Sequence, residues 1–275
     1  EAEREGKERE IMLTIEHIAK TFNPGTINEK RAIRDLSLDL ADGDFVTVIG
    51  GNGAGKSTLL NAVAGVWSVD TGTIRIGGED VTGMPEYKRA RFIGRVFQDP
   101  MMGTAPNMQI EENLALANRR GKRRGLRWGI TQDERKAYRD QLARLGLGLE
   151  DRMTVKVGLL SGGQRQALTL LMAALQTPKL LLLDEHTAAL DPATAAKVLE
   201  LSDQIIQENK LTAMMITHNM TDAIRHGNRL IMMDRGRIVL DISGEEKQKL
   251  TKADLLARFA EKAGVQEETD AVLLS

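Results

Sequence analysis

The sequence predicts an α/β fold, with strands of antiparallel character ahead of a glycine-rich loop and a block of helices inserted after it. Three observations predict it. A short, β-rich apolar run, residues 45–49, leads into Gly50-Gly51-Asn52-Gly53-Ala54-Gly55-Lys56-Ser57-Thr58 and then a helical stretch to Ala64. An unbroken leucine run, residues 180–183, has the pattern of a buried strand and ends at Asp184-Glu185. Between them, from 108 to about 148, the pattern turns helical.

Taken in order, residues 1–10 read as a charged, helix-prone extension, with Met12 the expected natural start. Residues 12–18 form the first β-like stretch, and Asn23-Pro24-Gly25 marks a turn. From Leu36 to Leu40 the apolar residues alternate, as in a half-buried strand. Asp70-Thr71-Gly72 reads as a turn, with strands at 73–78 and 91–97. Helices are expected at 110–117 and 133–145, divided by a basic loop at 121–128. Ser161-x-x-Gln164 resembles a capping box and starts a long helix to Gln176. A helix at 193–208, a strand at 211–216, a hairpin about Arg235-Gly236 and a helix at 252–263 complete the chain.

Composition narrows the function. The 275 residues carry 38 Lys+Arg against 39 Asp+Glu, a net charge of −1. That balance gives no support to a nucleic-acid partner held by bulk charge. The absence of cysteine excludes disulfides, zinc–thiolate sites and a catalytic thiol. No apolar run approaches the ~20 residues of a membrane span, and the N-terminus lacks a secretory apolar region. Any work at a membrane is therefore expected to need other subunits. The basic loop from Arg119 to Arg127 reads either as a solvated face or as a contact for lipid headgroups or a membrane subunit. The Met214-Met215 and Met232-Met233 pairs read as core packing.

Gly50, Gly55, Lys56 and Ser57 occupy the fixed places of G-x-x-x-x-G-K-[ST]. Glycines let a backbone wrap an anion, and the following helix aims N–H groups at it. Lys56 is placed to neutralise β- and γ-phosphates, and the Ser57 hydroxyl to ligate Mg²⁺. Such a loop needs a second, strand-end carboxylate for the metal. Asp184 fits that role. Glu185, one residue on, fits a base that activates water. Leu160-Ser161-Gly162-Gly163-Gln164 adds a serine hydroxyl, glycine N–H groups and a helix start, which make a second anion site. Two phosphate loops with one carboxylate set are most economically explained by a dimer that sandwiches two nucleotides.

With these residues in the same order, the chain resembles the ATP-binding cassette family, whose signature is Leu-Ser-Gly-Gly-Gln. The likeness extends to Gln98 at the glutamine loop, Ala189-Leu190-Asp191 at the D-loop and His218 at the switch histidine. It covers about 12–240. The resemblance implies a P-loop NTPase (RecA-like) core with an antiparallel β subdomain and an inserted α-helical subdomain at about 99–165. It divides the chain into an extension, 1–11, and an ATPase domain, 12–275, with a C-terminal tail at about 241–275. It implies ATP and Mg²⁺ as ligands. Ser57, Gln98 and Asp184 would serve the metal. Gln98 would also link metal and attacking water to the helical insertion, and His218 would contact the γ-phosphate. Ser161, Gly163 and Gln164 would complete the partner subunit's site, and Asp191 would help join the subunits. Phe22 sits where the family stacks an aromatic on adenine; its other reading is an apolar plug under the turn. His186 departs from the proline common at that place, which leaves the rigidity of the loop open; His17 and His226 read as ordinary.

The expected protein is the ATP-hydrolysing subunit of a bacterial importer: a homodimer on the cytoplasmic face of the membrane, with separate permease subunits, a solute-binding protein and no nucleic acid. The Asp-Glu-His-Thr variant and the long turn after Phe22 resemble cassettes of importers for amino acids or similar small solutes. The alternatives are an exporter subunit, a non-transport cassette that clamps nucleic acid or ribosomes, and a degenerate cassette that binds ATP without turnover. Intact Glu185 and His218 argue against the last.

Overall fold

The computed structural model describes residues 10–122 and 129–263. The expected extension, up to residue 9, lies outside the described residues; so do 123–128 of the basic loop and 264–275 of the tail. Two sheets organise the rest. In the first, β1 (Ile11–Phe22) pairs antiparallel with β2 (Lys30–Ala41) on one side and β4 (Thr71–Ile76) on the other; β5 (Glu79–Asp80) extends β4. In the second, β3 (Phe45–Ile49), β6 (Ile93–Val96), β7 (Leu180–Asp184), β8 (Thr212–Ile216) and β9 (Arg229–Asp234) run parallel, and β10 (Arg237–Ser243) closes the edge antiparallel to β9. The strand order is β10-β9-β3-β8-β7-β6.

The leucine run explains itself in this sheet. Leu180 and Leu182 join the core that faces the antiparallel sheet and helix α1 (Lys56–Ala64). Leu181 and Leu183 join the opposite core, which is formed with α3 (Ile110–Asn118), α4 (Gln132–Ala143), α5 (Gly162–Ala174) and α6 (Pro192–Glu208). A strand covered on both faces needs apolar residues at every position rather than at alternate ones. Met214 and Met215 divide between the same two cores, as expected of core methionines.

Polar contacts fix the helices. Short α2 (Glu86–Arg89) ends on Arg89, which is buried and donates to Ala62 O and Val63 O at 2.7 and 2.9 Å. These are last-turn carbonyls of α1, which have no partner within the helix. In the helical insertion, buried Glu111 of α3 takes a two-pronged contact from Arg135 of α4, at 2.7 and 2.8 Å.

The structure departs from the sequence reading in several places. Strand β4 begins at Thr71, so Gly72 lies within it, at φ 85°, and a Cβ there would meet Glu16 O at 2.4 Å. Sequence alone read that close approach as a turn. Helix α5 ends at Ala174, just before Thr177 turns left-handed at φ 43°. Helix α7 (Met220–Arg225) has six residues, too few for a period to show; Asn219 caps it through the N–H groups of Thr221 and Asp222. Residues 241–263 form a packed layer. Alongside α8 (Gly244–Gln248), α9 (Lys252–Ala263) sets Leu255 and Phe259 against Ile49, Met232 and Ile242.

Two joints tie α6 to the rest. At the start of α5, a Cβ on Gly163 would fall 2.1 Å from Thr194 Cγ2 of α6. After β7, fully buried His186 shares a 2.9 Å hydrogen bond with Ser202 Oγ. The single hydroxyl hydrogen of Ser202 goes to Val198 O, so His186 Nε2 is the donor. Burial first, and then the neighbouring charge of His226, pulls the His186 pKa to about 4.

Each joint generates a test. Gly163→Ala should destabilise the fold by ~1–3 kcal/mol through overpacking, and Thr194→Ser, which lacks the opposing methyl, should recover most of it in urea melts. No recovery would show that the joint is not steric. For His186, the unfolded chain takes up its proton near pH 6.5 and the folded chain only near 4. Its contribution is intact above pH 6.5 and is lost as the pH falls toward 4, by up to ~3 kcal/mol. Unfolding free energies of His186→Gln should therefore depend less on pH than wild type across that window; parallel curves would refute the coupling.

Candidate functional site

The parallel sheet gathers the expected residues at one edge. Strands β3, β7 and β8 are neighbours with their carboxyl ends aligned: Val48 lies opposite Ile216, and Ile216 opposite Asp184. Their continuations are Gly50–Thr58, Glu185 and Thr217-His218. In open α/β sheets such an edge is where ligands sit.

The glycines of the loop are required by crowding. Gly50 has φ 149°, and a Cβ there would lie 2.2 Å from Met233 O. At Gly55, φ 102°, a Cβ would lie 2.5 Å from Ala32 O. Gly55 also caps α1 with no side chain, which leaves the first N–H groups of the helix uncapped by any side-chain bond. Lys56 is buried, and its Nζ donates to Gly50 O and Gly51 O at 2.6 and 3.2 Å. Burial lowers its pKa, against the opposing pull of Glu185 and then Asp184. Asn52, Gly53, Gly55, Lys56, Ser57 and Thr58 line a cleft of 260 Å³, together with Ala54. Its other walls are Lys30 and Ala32 of β2, Glu185 and His218.

Glu185 and His218 are in direct contact, Oε1 to Nε2 at 2.6 Å. Glu185 holds a left-handed backbone, φ 46°, with its N–H on Ile216 O at 3.0 Å. For a side-chain-bearing residue that conformation is strained. Both residues also line a second cleft, of 320 Å³, framed by Pro192 and Leu199 of α6 and Asp222 of α7. The pair is thus the wall between two solvent spaces.

Asp184 is half-buried. Burial raises its pKa, opposed by Arg95 and Lys56. Arg95 reaches it at 3.4 Å, donates to Asn61 Oδ1 at 2.8 Å and stacks on Phe97. Among the described residues, no cluster of three or more His, Cys, Asp or Glu could hold a metal by itself. One carboxylate and the Ser57 hydroxyl suit a hard cation that takes its remaining oxygens from phosphate and water, as Mg²⁺ does.

The remaining expected residues lie outside the cleft's lining. Gln98 is exposed, just beyond β6. Phe22, at the end of β1, is half-buried, with Trp67 edge-on at 4.9 Å and Lys20 over its ring at 5.7 Å. Ser161 is exposed and caps α5; its Oγ accepts from Gln164 N–H at 3.3 Å, and Gln164 returns Oε1 to Ser161 N–H at 3.2 Å. Asp191 caps α6 through Thr194 N–H at 3.1 Å. Lys30 and Arg95 escaped the sequence reading. The hairpin register could have pointed to Lys30; nothing in the sequence singles out Arg95.

Comparison with known proteins bears on this geometry. The ABC transporter family profile matches residues 33–188. A tyrosine transport ATP-binding protein of Clostridioides difficile strain R20291 is 44% identical over 249 residues, covering 90% of this chain and 98% of that protein. A methionine import ATP-binding protein of Enterococcus faecalis is 32% identical over 262 residues, covering 94% and 71%. Among solved structures, a dimeric ATP-binding cassette in a post-hydrolysis state, bound to ADP and Pi, matches with a TM-score of 0.72 at 28% identity, over 84% of this chain and 98% of that chain. The chain therefore belongs to the ABC transporter family, as an ATP-binding and ATP-hydrolysing subunit.

Proposed function

We propose that the chain powers a bacterial importer for an amino acid or similar small solute. It would act as a homodimer against separate permease subunits on the cytoplasmic face of the membrane, supplied by a solute-binding protein. The domain division is 12–275 for the ATPase, with helices inserted at about 99–165. The relatives named for tyrosine transport and methionine import support this reading. So does the lack, among the described residues, of any helix long and apolar enough to cross a membrane. Exposed Met102 and Leu116, beside a 440 Å³ groove near the glutamine loop, supply apolar surface for a partner.

The observation that carries the chemistry is the Glu185–His218 contact facing Lys56 across one cleft. Loop N–H groups and Lys56 bind the β- and γ-phosphates of ATP. Glu185 takes a proton from the attacking water, and His218 orients Glu185 and contacts the γ-phosphate. Ser57 and Asp184, with Gln98, would hold Mg²⁺, which would supply charge neutralisation on the phosphates. Phe22 stacks on adenine. Ser161, Gly163 and Gln164, which do not line their own chain's cleft, complete the site of the opposite subunit.

Glu185→Gln should keep ATP binding and lose turnover by ~10²–10⁴-fold. Phosphate release within a few-fold of wild type would remove Glu185 from the role of base. In the Glu185→Gln background, Mg·ATP should drive dimerisation visible by size exclusion. Adding Ser161→Arg to that chain should return it to monomer, because a bulky cation replaces a hydroxyl and amides at close range. Persistent dimers in the double variant would rule out a signature that acts across subunits.

A further inference from the structure

We propose that Lys30 is a second cation for the nucleotide's phosphates, reaching them from the antiparallel sheet, opposite the loop that carries Lys56. The inference rests on the reading of the 260 Å³ cleft as the ATP site, and it adds a residue that none of the sequence motifs contains.

Four observations converge on Lys30. It lines the cleft together with Asn52, Lys56 and Ser57. Its ammonium lies over the loop backbone: a Cβ placed on Gly53 would be 3.8 Å from Lys30 Nζ. In the hairpin register, Lys30 stands directly opposite Phe22. Directly paired residues of antiparallel strands project from the same face of the sheet, so the aromatic proposed for adenine and this cation act as one unit. Finally, among the described residues the Lys30 ammonium forms no hydrogen bond or ion pair, although acids are close by in sequence. Glu29, its neighbour, is engaged by the Gly25 N–H at 2.9 Å and by Arg31 at 3.3 Å. Those contacts hold the Glu29 carboxyl below its usual pKa, the Gly25 N–H contributing most. Glu185, the acid lining the same cleft, is in contact with His218.

A lysine beside a phosphate-binding loop, with no internal anion to neutralise it, is a point charge available to the ligand. Lys56 is buried and rests on two loop carbonyls; Lys30 is exposed and projects from a different sheet. The two cations therefore flank the phosphate chain from two sides. Lys30 recognises charge and takes no part in the chemistry. Its effect should grow with the number of phosphates and be weakened by salt, because it acts through solvent-exposed electrostatics.

The test is equilibrium titration of the full chain and its Lys30→Met and Lys30→Arg variants with a non-hydrolysable ATP analogue, with ADP and with adenosine. Lys30→Met should weaken the triphosphate by about five- to tenfold, the scale of one exposed charge contact. It should weaken ADP by less and leave adenosine unchanged, and the deficit should shrink at high salt. Lys30→Arg should restore most of the affinity. Triphosphate binding by Lys30→Met within twofold of wild type overturns the proposal. So does an equal loss for adenosine, which would show that Lys30 supports Phe22 rather than the phosphates. Lys56→Ala, measured in parallel, separates the two levels of the argument. If Lys56→Ala abolishes binding while Lys30→Met stays within twofold of wild type, the ATP site stands and Lys30 is idle. If Lys56→Ala also binds normally, the reading of the cleft fails and the proposal fails with it.

Discussion

The structure depends on one constraint: three adjacent strands, β3, β8 and β7, must run parallel with their ends aligned. Their registers, Val48 against Ile216 and Ile216 against Asp184, bring the glycine loop, Asp184-Glu185 and Thr217-His218 to one edge. Parallel strands cannot be joined by tight turns, so helices must cross both faces of the sheet. That is why β7 is leucine at each of its first four positions, and why its one carboxylate appears at the last. The buried strand and the reactive edge share this cause.

Crowding at the edge then dictates local conformation. The carbonyl of Met233 presses on Gly50 and that of Ala32 on Gly55, so the phosphate loop is held by backbone from β9 and β2 as well as by its own turns. Glu185 accepts a left-handed backbone to keep its N–H on Ile216 O. The strain sits on the residue proposed as base, and the contact with His218 fixes its carboxylate. Strain of this kind persists only where the surroundings over-determine it, and here β7, β8 and buried His186 all do so.

Helix α6 links the two ends of the proposed mechanism. Its N-cap is Asp191 of the D-loop, its Thr194 packs on Gly163 of the signature, and its Ser202 holds His186, next to Glu185. The Asp191 cap and the Gly163 contact are therefore joined through one helix to the turn that carries Glu185. His186, which departs from the family's proline, is a buried hydrogen-bonded tie, so the rigidity left open by the sequence is supplied by packing and a hydrogen bond. The Ser161 hydroxyl meanwhile serves its own helix cap, and Gly163 has a packing reason to be glycine apart from any ligand.

The sequence by itself determined the glycine loop, the buried leucine strand and the capped helix start, because each is local. A phosphate loop needs glycines and a lysine at fixed spacing, a twice-covered strand needs unbroken leucine, and a helix start shows its capping residues. Those signals lie within a few residues of one another, so they survive without the fold. Tertiary structure decided what depends on distant segments. Gly72 read as a turn because the Glu16 carbonyl that crowds it lies on another strand. Residues 244–263 read as a tail because the apolar face they cover belongs to β9 and β10. Lys30 and Arg95 carry no local pattern; one acquires meaning from the register of a hairpin and the other from the approach of Asp184 across the sheet. The 2.6 Å contact between Glu185 and His218 joins residues from neighbouring strands far apart in the chain, and only the parallel pairing of those strands could create it.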